Sequence, residues 1–130
     1  MIKSDAQRTR TAIQIVGFQQ ALAQTGQPKP VRRSYESMIR HLEEELHEYD
    51  QLKSGLLTLP LVERLDQISP FVVKIRIAKG VSQTELARRL GVSKQVISRY
   101  EESDYQTVAI PRLQEILDAI GIKTLVSLSA

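Results

Sequence analysis

Cysteine and tryptophan are absent from the 130 residues, and the missing cysteine removes whole classes of chemistry. There can be no disulfide framework, no thiolate metal ligand and no cysteine nucleophile. Aromatic residues make up only 5%, so a core has to be built mainly from Leu, Ile, Val and Ala. No apolar run approaches the roughly 20 residues that a membrane-spanning helix needs, and Met1–Arg10 lacks the apolar centre of a signal peptide. The expectation is a cytoplasmic protein with no membrane contact. Neither a glycine-rich phosphate loop nor a nucleophile elbow is found, which argues against an enzyme, and nothing calls for a cofactor.

His41 and His47 flank the acidic run Glu43-Glu44-Glu45, a pairing that invites a metal reading. Residues six apart on a helix point to different faces, whereas a zinc-binding helix presents histidines at i and i+4. The run reads instead as a solvated acidic face, and no metal site is expected.

What is present is ordinary globular composition, 42% apolar and 25% charged, in a length that suits one domain plus an accessory element. The formal charge of +3 is unevenly placed. Residues 1–69 hold nine Lys/Arg and nine Asp/Glu, while residues 70–130 hold nine and six. The excess therefore lies in the C-terminal half, as suits a module that meets a polyanion.

Apolar spacing predicts a helix from Asp5 to Thr25, with Thr11, Ile15, Phe18 and Leu22 on one stripe. Gly26 and the Gln27–Pro30 segment break it. A second helix is predicted from Ser34 to Ser54, carrying Tyr35, Met38/Ile39, Leu42, Leu46, Tyr49 and Leu52 at 3–4 spacing. Two such helices joined by a short Pro-containing loop predict an antiparallel hairpin. So narrow a stripe must be buried against its neighbour or against another subunit. After Gly55 comes an apolar connector, then a helical turn from Pro60 to Ile68 and a start signal at Ser69-Pro70. Helix breaks follow at Gly80, at Gly91 and after Glu102. The last helix runs from near Pro111 to Gly121, and the β-branched tail Ile122–Leu128 reads as a short strand. The domain boundaries expected are 1–57 for the hairpin, 58–68 for the connector and 69–130 for the C-terminal domain.

Functional signal concentrates in residues 80–101. Ser82 and Glu85 have the form of a capping box, Gly91 suits a left-handed helix end, and Ser93 stands ready to cap the next helix after only Val92. Two short helices joined so tightly must cross steeply. Ala87 is small at the closest approach, and Val92, Ile97 and Tyr100 fill the angle. Lys94, Gln95, Ser98, Arg99 and Glu102 then share the outer face of the second helix. Lys and Arg can donate to guanine O6/N7, and Gln can pair with adenine N6/N7.

The stretch Gly80-Val81-Ser82-Gln83-Thr84-Glu85-Leu86-Ala87-Arg88-Arg89-Leu90-Gly91-Val92-Ser93-Lys94-Gln95-Val96-Ile97-Ser98-Arg99-Tyr100-Glu101 resembles the helix-turn-helix of the Cro/C1 (XRE) family of phage and bacterial regulators. The likeness spans roughly residues 69–121. It implies an all-α, lambda-repressor-like domain behind the N-terminal hairpin, in a protein of prokaryotic or phage origin. It also implies that Gln83 binds a DNA phosphate with Thr84 beside it, and that Lys94, Gln95 and Arg99 read bases. Ser93 and Ser98 then sit where side chains meet backbone or bases. Arg76 and Glu101 match a structural ion pair of the family. Where many relatives carry Asn-Gly after that glutamate, this chain has Glu102-Ser103-Asp104-Tyr105, and Tyr105 is the candidate to supply the missing phosphate contact.

The function expected is a dimeric repressor of double-stranded operator DNA. The alternative is an antitoxin, because a helical hairpin ahead of such a domain resembles the architecture of small regulators related to HigA. In that case the hairpin would hold a toxin protein.

Overall fold

The computed structural model describes Met1–Ala130 and contains six α-helices, two short 3-10 turns and no strand. The all-α reading holds. The chain divides into two compact units, Met1–Leu52 and Lys53–Ala130.

In the first unit, α1 (Asp5–Ala23) begins where the Ser4 hydroxyl accepts from the Gln7 N–H at 3.2 Å, satisfying one of the free donors of the first turn. It is followed by α2 (Lys29–Lys53), which starts five residues before the expected Ser34. The reason is Pro30. In the first turn a missing N–H breaks no helical bond, and the Arg32 N–H already reaches the Pro28 carbonyl at 3.1 Å. A residue that looked like a breaker is thus part of the helix start.

The two helices run antiparallel. Arg8 makes a two-pronged bond to Asp50 at 2.6 and 2.8 Å, and the Tyr49 hydroxyl donates to Asp5. At the other end, the rings of Phe18 and Tyr35 lie 5.7 Å apart, and Arg32 donates to the Leu22 carbonyl at the close of α1. Thr11, Ile15, Tyr49 and Leu52 are buried, whereas Ile13, Val16, Val31 and Met38 remain exposed.

The second unit opens with an irregular connector. The helical turn expected from Pro60 shrinks to a 3-10 turn at Leu65–Gln67. The Gln67 side chain reaches back to accept from the Glu63 and Arg64 N–H groups at 2.9 and 3.1 Å, and this places the start at residue 65. Ser69 was expected to cap a helix. It lies instead inside a second 3-10 turn, Ser69–Phe71, with its hydroxyl turned back to the Asp66 carbonyl.

The remaining helices are α3 (Val72–Ala78), α4 (Gln83–Leu90), α5 (Lys94–Glu102) and α6 (Ile110–Ile120). Their core gathers Val72, Val73, Ile75 and Ile77 of α3, Leu86 and Ala87 of α4, Ile97 of α5, and Ile116, Leu117 and Ile120 of α6. No single helix here could survive alone at these lengths. Their stability comes from that shared apolar interior.

The tail beyond Gly121 forms neither helix nor strand. Its composition favours β structure, yet a strand needs a neighbour to receive its peptide hydrogen bonds, and the chain provides none.

Candidate nucleic-acid interface

At the start of α4 the Ser82 hydroxyl accepts from the Glu85 N–H at 3.0 Å. The return half of the expected capping box is not made. The Glu85 carboxylate is taken by Arg88, at 2.9 and 2.6 Å, and by Arg89 at 3.0 Å. Hydrogen bonds from Arg88 first and Arg89 second hold this carboxyl down to about 2, from an ordinary 4.5. Arg89 also donates to the Ala119 carbonyl at 2.7 Å, so it ties α4 to the end of α6.

Gly91 closes α4 at φ +69°. The Val92 N–H bonds to the Ala87 carbonyl at 3.0 Å and the Gly91 N–H to Arg88 at 3.2 Å, the paired bonds of a left-handed helix end. Only glycine takes that backbone shape without crowding its own Cβ. The chain therefore turns within two residues and enters α5. Ser93 occupies the capping position of α5, but its hydroxyl makes no capping bond.

What fixes α5 is a buried polar cluster at its far end. Arg76 of α3 clasps Glu101 with two bonds, Nε to Oε2 at 2.7 Å and Nη2 to Oε1 at 2.6 Å. Its Nη1 donates to the Val81 carbonyl at 2.9 Å. Gln83 Nε2 adds a bond to Glu101 Oε1 at 2.8 Å, and the Tyr105 hydroxyl one to Oε2 at 2.8 Å. Arg76 and Glu101 are both buried. A charge removed from water needs its full set of partners to be tolerated, and here the carboxylate receives donors from three other elements. The result pins α3, α4, α5 and the following loop to one point.

The sequence-predicted residues divide between this cluster and the surface. Lys94, Gln95 and Arg99 are exposed together on α5, with Ser98 half-buried between them. The side chains of Lys94, Gln95 and Arg99 make no hydrogen bond or ion pair with the rest of the chain. Ile97 of the same helix is fully buried, and Tyr100 is half-buried with its ring 6.0 Å from that of Tyr105. Thr84 and Ser93 are exposed at the starts of α4 and α5. Gln83 is buried, with an amide proton committed to Glu101. Its second amide proton and its backbone N–H are what it can still offer an anion.

Tyr105 requires a correction. It was expected at a phosphate, but it is only 1% exposed and its hydroxyl faces Glu101. Burial first, then the neighbouring carboxylate, push its phenol well above the ordinary value of 10.0. Asp104 and Tyr105 sit at φ +51° and +60°, a left-handed pair that non-glycine residues adopt at an energetic cost. The Tyr105 N–H bond to the Tyr100 carbonyl at 2.8 Å, the buried ring and the bond to Glu101 offset it. These two residues bend the backbone where an Asn-Gly turn would have done so by conformational freedom. Sequence reasoning missed Tyr105 as part of the cluster because it lies four residues beyond Glu101, in what looks like a loop.

Elsewhere, no group of three or more His, Asp or Glu side chains comes together to hold a metal ion. No helix is long and apolar enough to cross a membrane.

Two short helices crossing at a tight turn, the second held by its buried end and bare on its outer face, define a helix-turn-helix. Residues 72–126, 55 of the chain's 130, match the family model described as Helix-turn-helix. This segment is a helix-turn-helix domain of the Cro/C1 (XRE) type, a DNA-binding class of transcription regulator. No curated protein and no solved structure matches the chain.

Proposed function

We propose that the protein is a dimeric transcriptional repressor that inserts α5 into the major groove of a near-palindromic operator. The observation that carries this reading is the contrast within α5. Its buried end is anchored through Glu101, while Lys94, Gln95 and Arg99 are exposed with no partner in their own chain. Polar side chains held at a fixed angle and left unsatisfied suit base edges, whose donors and acceptors differ from one base pair to the next.

In this reading Arg99 and Lys94 address guanine, and Gln95 addresses adenine. Ser98 contacts base or backbone, and Gln83, Thr84 and Ser93 meet phosphates around the two helix starts, where free backbone N–H groups favour anions. A homodimer would set two such helices about 34 Å apart, in successive major grooves. Occupancy would exclude polymerase, and affinity would fall with added salt as the entropy gained by releasing counterions shrinks.

A second reading is an antitoxin that binds a toxin protein and regulates its own operon. The observation favouring it is the set of exposed apolar side chains on the hairpin, Ile13, Val16, Val31 and Met38, which offers a surface to another protein. Selection from random duplex DNA, combined with light scattering, tests the first reading. A two-fold-symmetric site bound by two chains is the expected result, and failure to enrich any sequence would remove it. Co-purification of a second small protein bound through the hairpin would favour the antitoxin.

A further inference from the structure

The connector that opens the C-terminal unit has the wrong composition for a plain linker. From Ser54 to Val62 it carries no charged residue and holds Leu56, Leu57, Leu59, Leu61 and Val62, where linkers are ordinarily polar. From Thr58 to Val62 its backbone makes no hydrogen bond with the rest of the chain. Its place on the domain rests on side chains.

Two hollows of about 160 and 150 Å³ are lined by this connector together with α3. Both have Leu59, Ile75 and Ile122 among their walls, so they are neighbouring parts of one groove. Phe71 and Leu117 line the first part, and Ala78 the second. Ile75 and Leu117 are buried core side chains, whereas Leu59 is 54% exposed. The groove thus has a fixed apolar floor and a wall supplied by the connector. Together its two parts reach the lower end of the roughly 300–1,000 Å³ usual for small-molecule sites.

Charge decides what such a groove would take. No Asp or Glu lines either part, and the charged residues on the walls are Lys123 in the first and Lys79 in the second. Both lysines are exposed, and neither ammonium has a hydrogen bond or ion pair within the chain. Beside Lys123, the Thr124 hydroxyl accepts from Gln114 at 3.5 Å, and its own proton remains to be donated. Donors without acceptors at the edge of an apolar groove call for an anion with a hydrocarbon body.

We propose that this groove binds a monomeric amphipathic anion, an unbranched aliphatic carboxylate. Its hydrocarbon lies along Leu59, Ile75 and Ile122, and its carboxylate meets Lys123 and Thr124. Lys79, in the second part, adds positive potential. Such a ligand clamps the connector to α3 and α6 and supplies the contacts that the connector backbone does not make. No wall of the groove belongs to α4 or α5. The site is therefore independent of the DNA-binding reading, and failure of either leaves the other standing.

Calorimetric titration of the full chain with hexanoate, octanoate, decanoate and dodecanoate, each below its micellar concentration, tests the assignment. Each buried methylene should tighten binding about fourfold, until the groove is filled and the gain stops. Decanol, equal in length but uncharged, should bind severalfold more weakly than decanoate. Lys123→Gln should lower the affinity for decanoate severalfold and leave that for decanol unchanged. Leu59→Asp, which puts a negative charge on the shared wall, should abolish decanoate binding with helical circular dichroism unchanged. No measurable binding by any of the four acids overturns the proposal. Equal affinity for decanoate and decanol, or a Lys123→Gln chain that holds decanoate as wild type does, overturns the anionic class. Saturable binding that persists in Leu59→Asp puts the ligand elsewhere and overturns the groove.

Discussion

In the hairpin, polar ties do much of the joining. Arg8 with Asp50 and Tyr49 with Asp5 link α1 to α2, while Ile13, Val16, Val31 and Met38 face outward. In the helix-turn-helix domain the order is reversed. Apolar side chains of α3, α4, α5 and α6 close over one another, and the strongest polar cluster, around Glu101, lies inside with them. The domain has a two-sided interior and a bare recognition face. The hairpin has one buried seam and leaves large apolar side chains in solvent.

The largest test of this contrast is a paired charge deletion. Arg76→Ala strands a buried carboxylate and should cost about 3–5 kcal/mol of unfolding free energy, read from urea denaturation. Arg8→Ala, at an exposed pair, should be indistinguishable from wild type in the same assay. Comparable losses at the two sites would erase the distinction.

A second pair compares apolar side chains. Leu86→Ala should leave a cavity worth about 2–5 kcal/mol, whereas Ile13→Ala should leave chain stability nearly unchanged and weaken association instead. Sedimentation of the two variants separates these effects. An Ile13→Ala chain that unfolds early would mean that its side chain is part of an interior after all.

Arg99→Ala sharpens the comparison at the recognition face. It should preserve the melting curve and relax preference at one operator position by about 1–3 kcal/mol, measured by binding-site selection. Loss of folding would contradict its isolation from the rest of the chain.

The smallest effect is a slope. The Tyr105 phenol is held neutral in the fold by burial and by Glu101, so its raised value contributes stability in full below the ordinary 10.0. That contribution fades as pH rises above about 10, where only the unfolded chain ionises. Tyr105→Phe should flatten the decline in stability above pH 10, followed by chemical denaturation at successive pH values. An unchanged slope would put the hydroxyl in water.

Local chemistry explains which parts of this architecture were legible beforehand. Gly91 after α4 and Gly121 after α6 both take the left-handed conformation, and glycine at such a position marks a helix end in almost any surroundings. The tight turn between α4 and α5 followed from the single residue between Gly91 and Ser93, and the exposed row Lys94, Gln95 and Arg99 followed from helical spacing. Features set by competition among partners were not legible in this way. Glu85 had the spacing to reach back to Ser82, but two arginines one turn ahead outbid that backbone N–H. Pro30 could end one helix or begin another, and only the turn around it decided. Tyr105 was misread because burial in a loop leaves no periodic trace.

The freedom of the outer face of α5 has a consequence for change over time. Because Lys94, Gln95 and Arg99 are bonded to nothing in their own chain, replacing them alters what is touched without altering what holds the helix in place. Glu101 is the opposite, since every donor around it is also an anchor for another element. If α5 reads DNA as proposed, a lineage, or a designer, could rewrite the target at three positions while the scaffold stays silent, and the same chain could acquire new addresses without refolding.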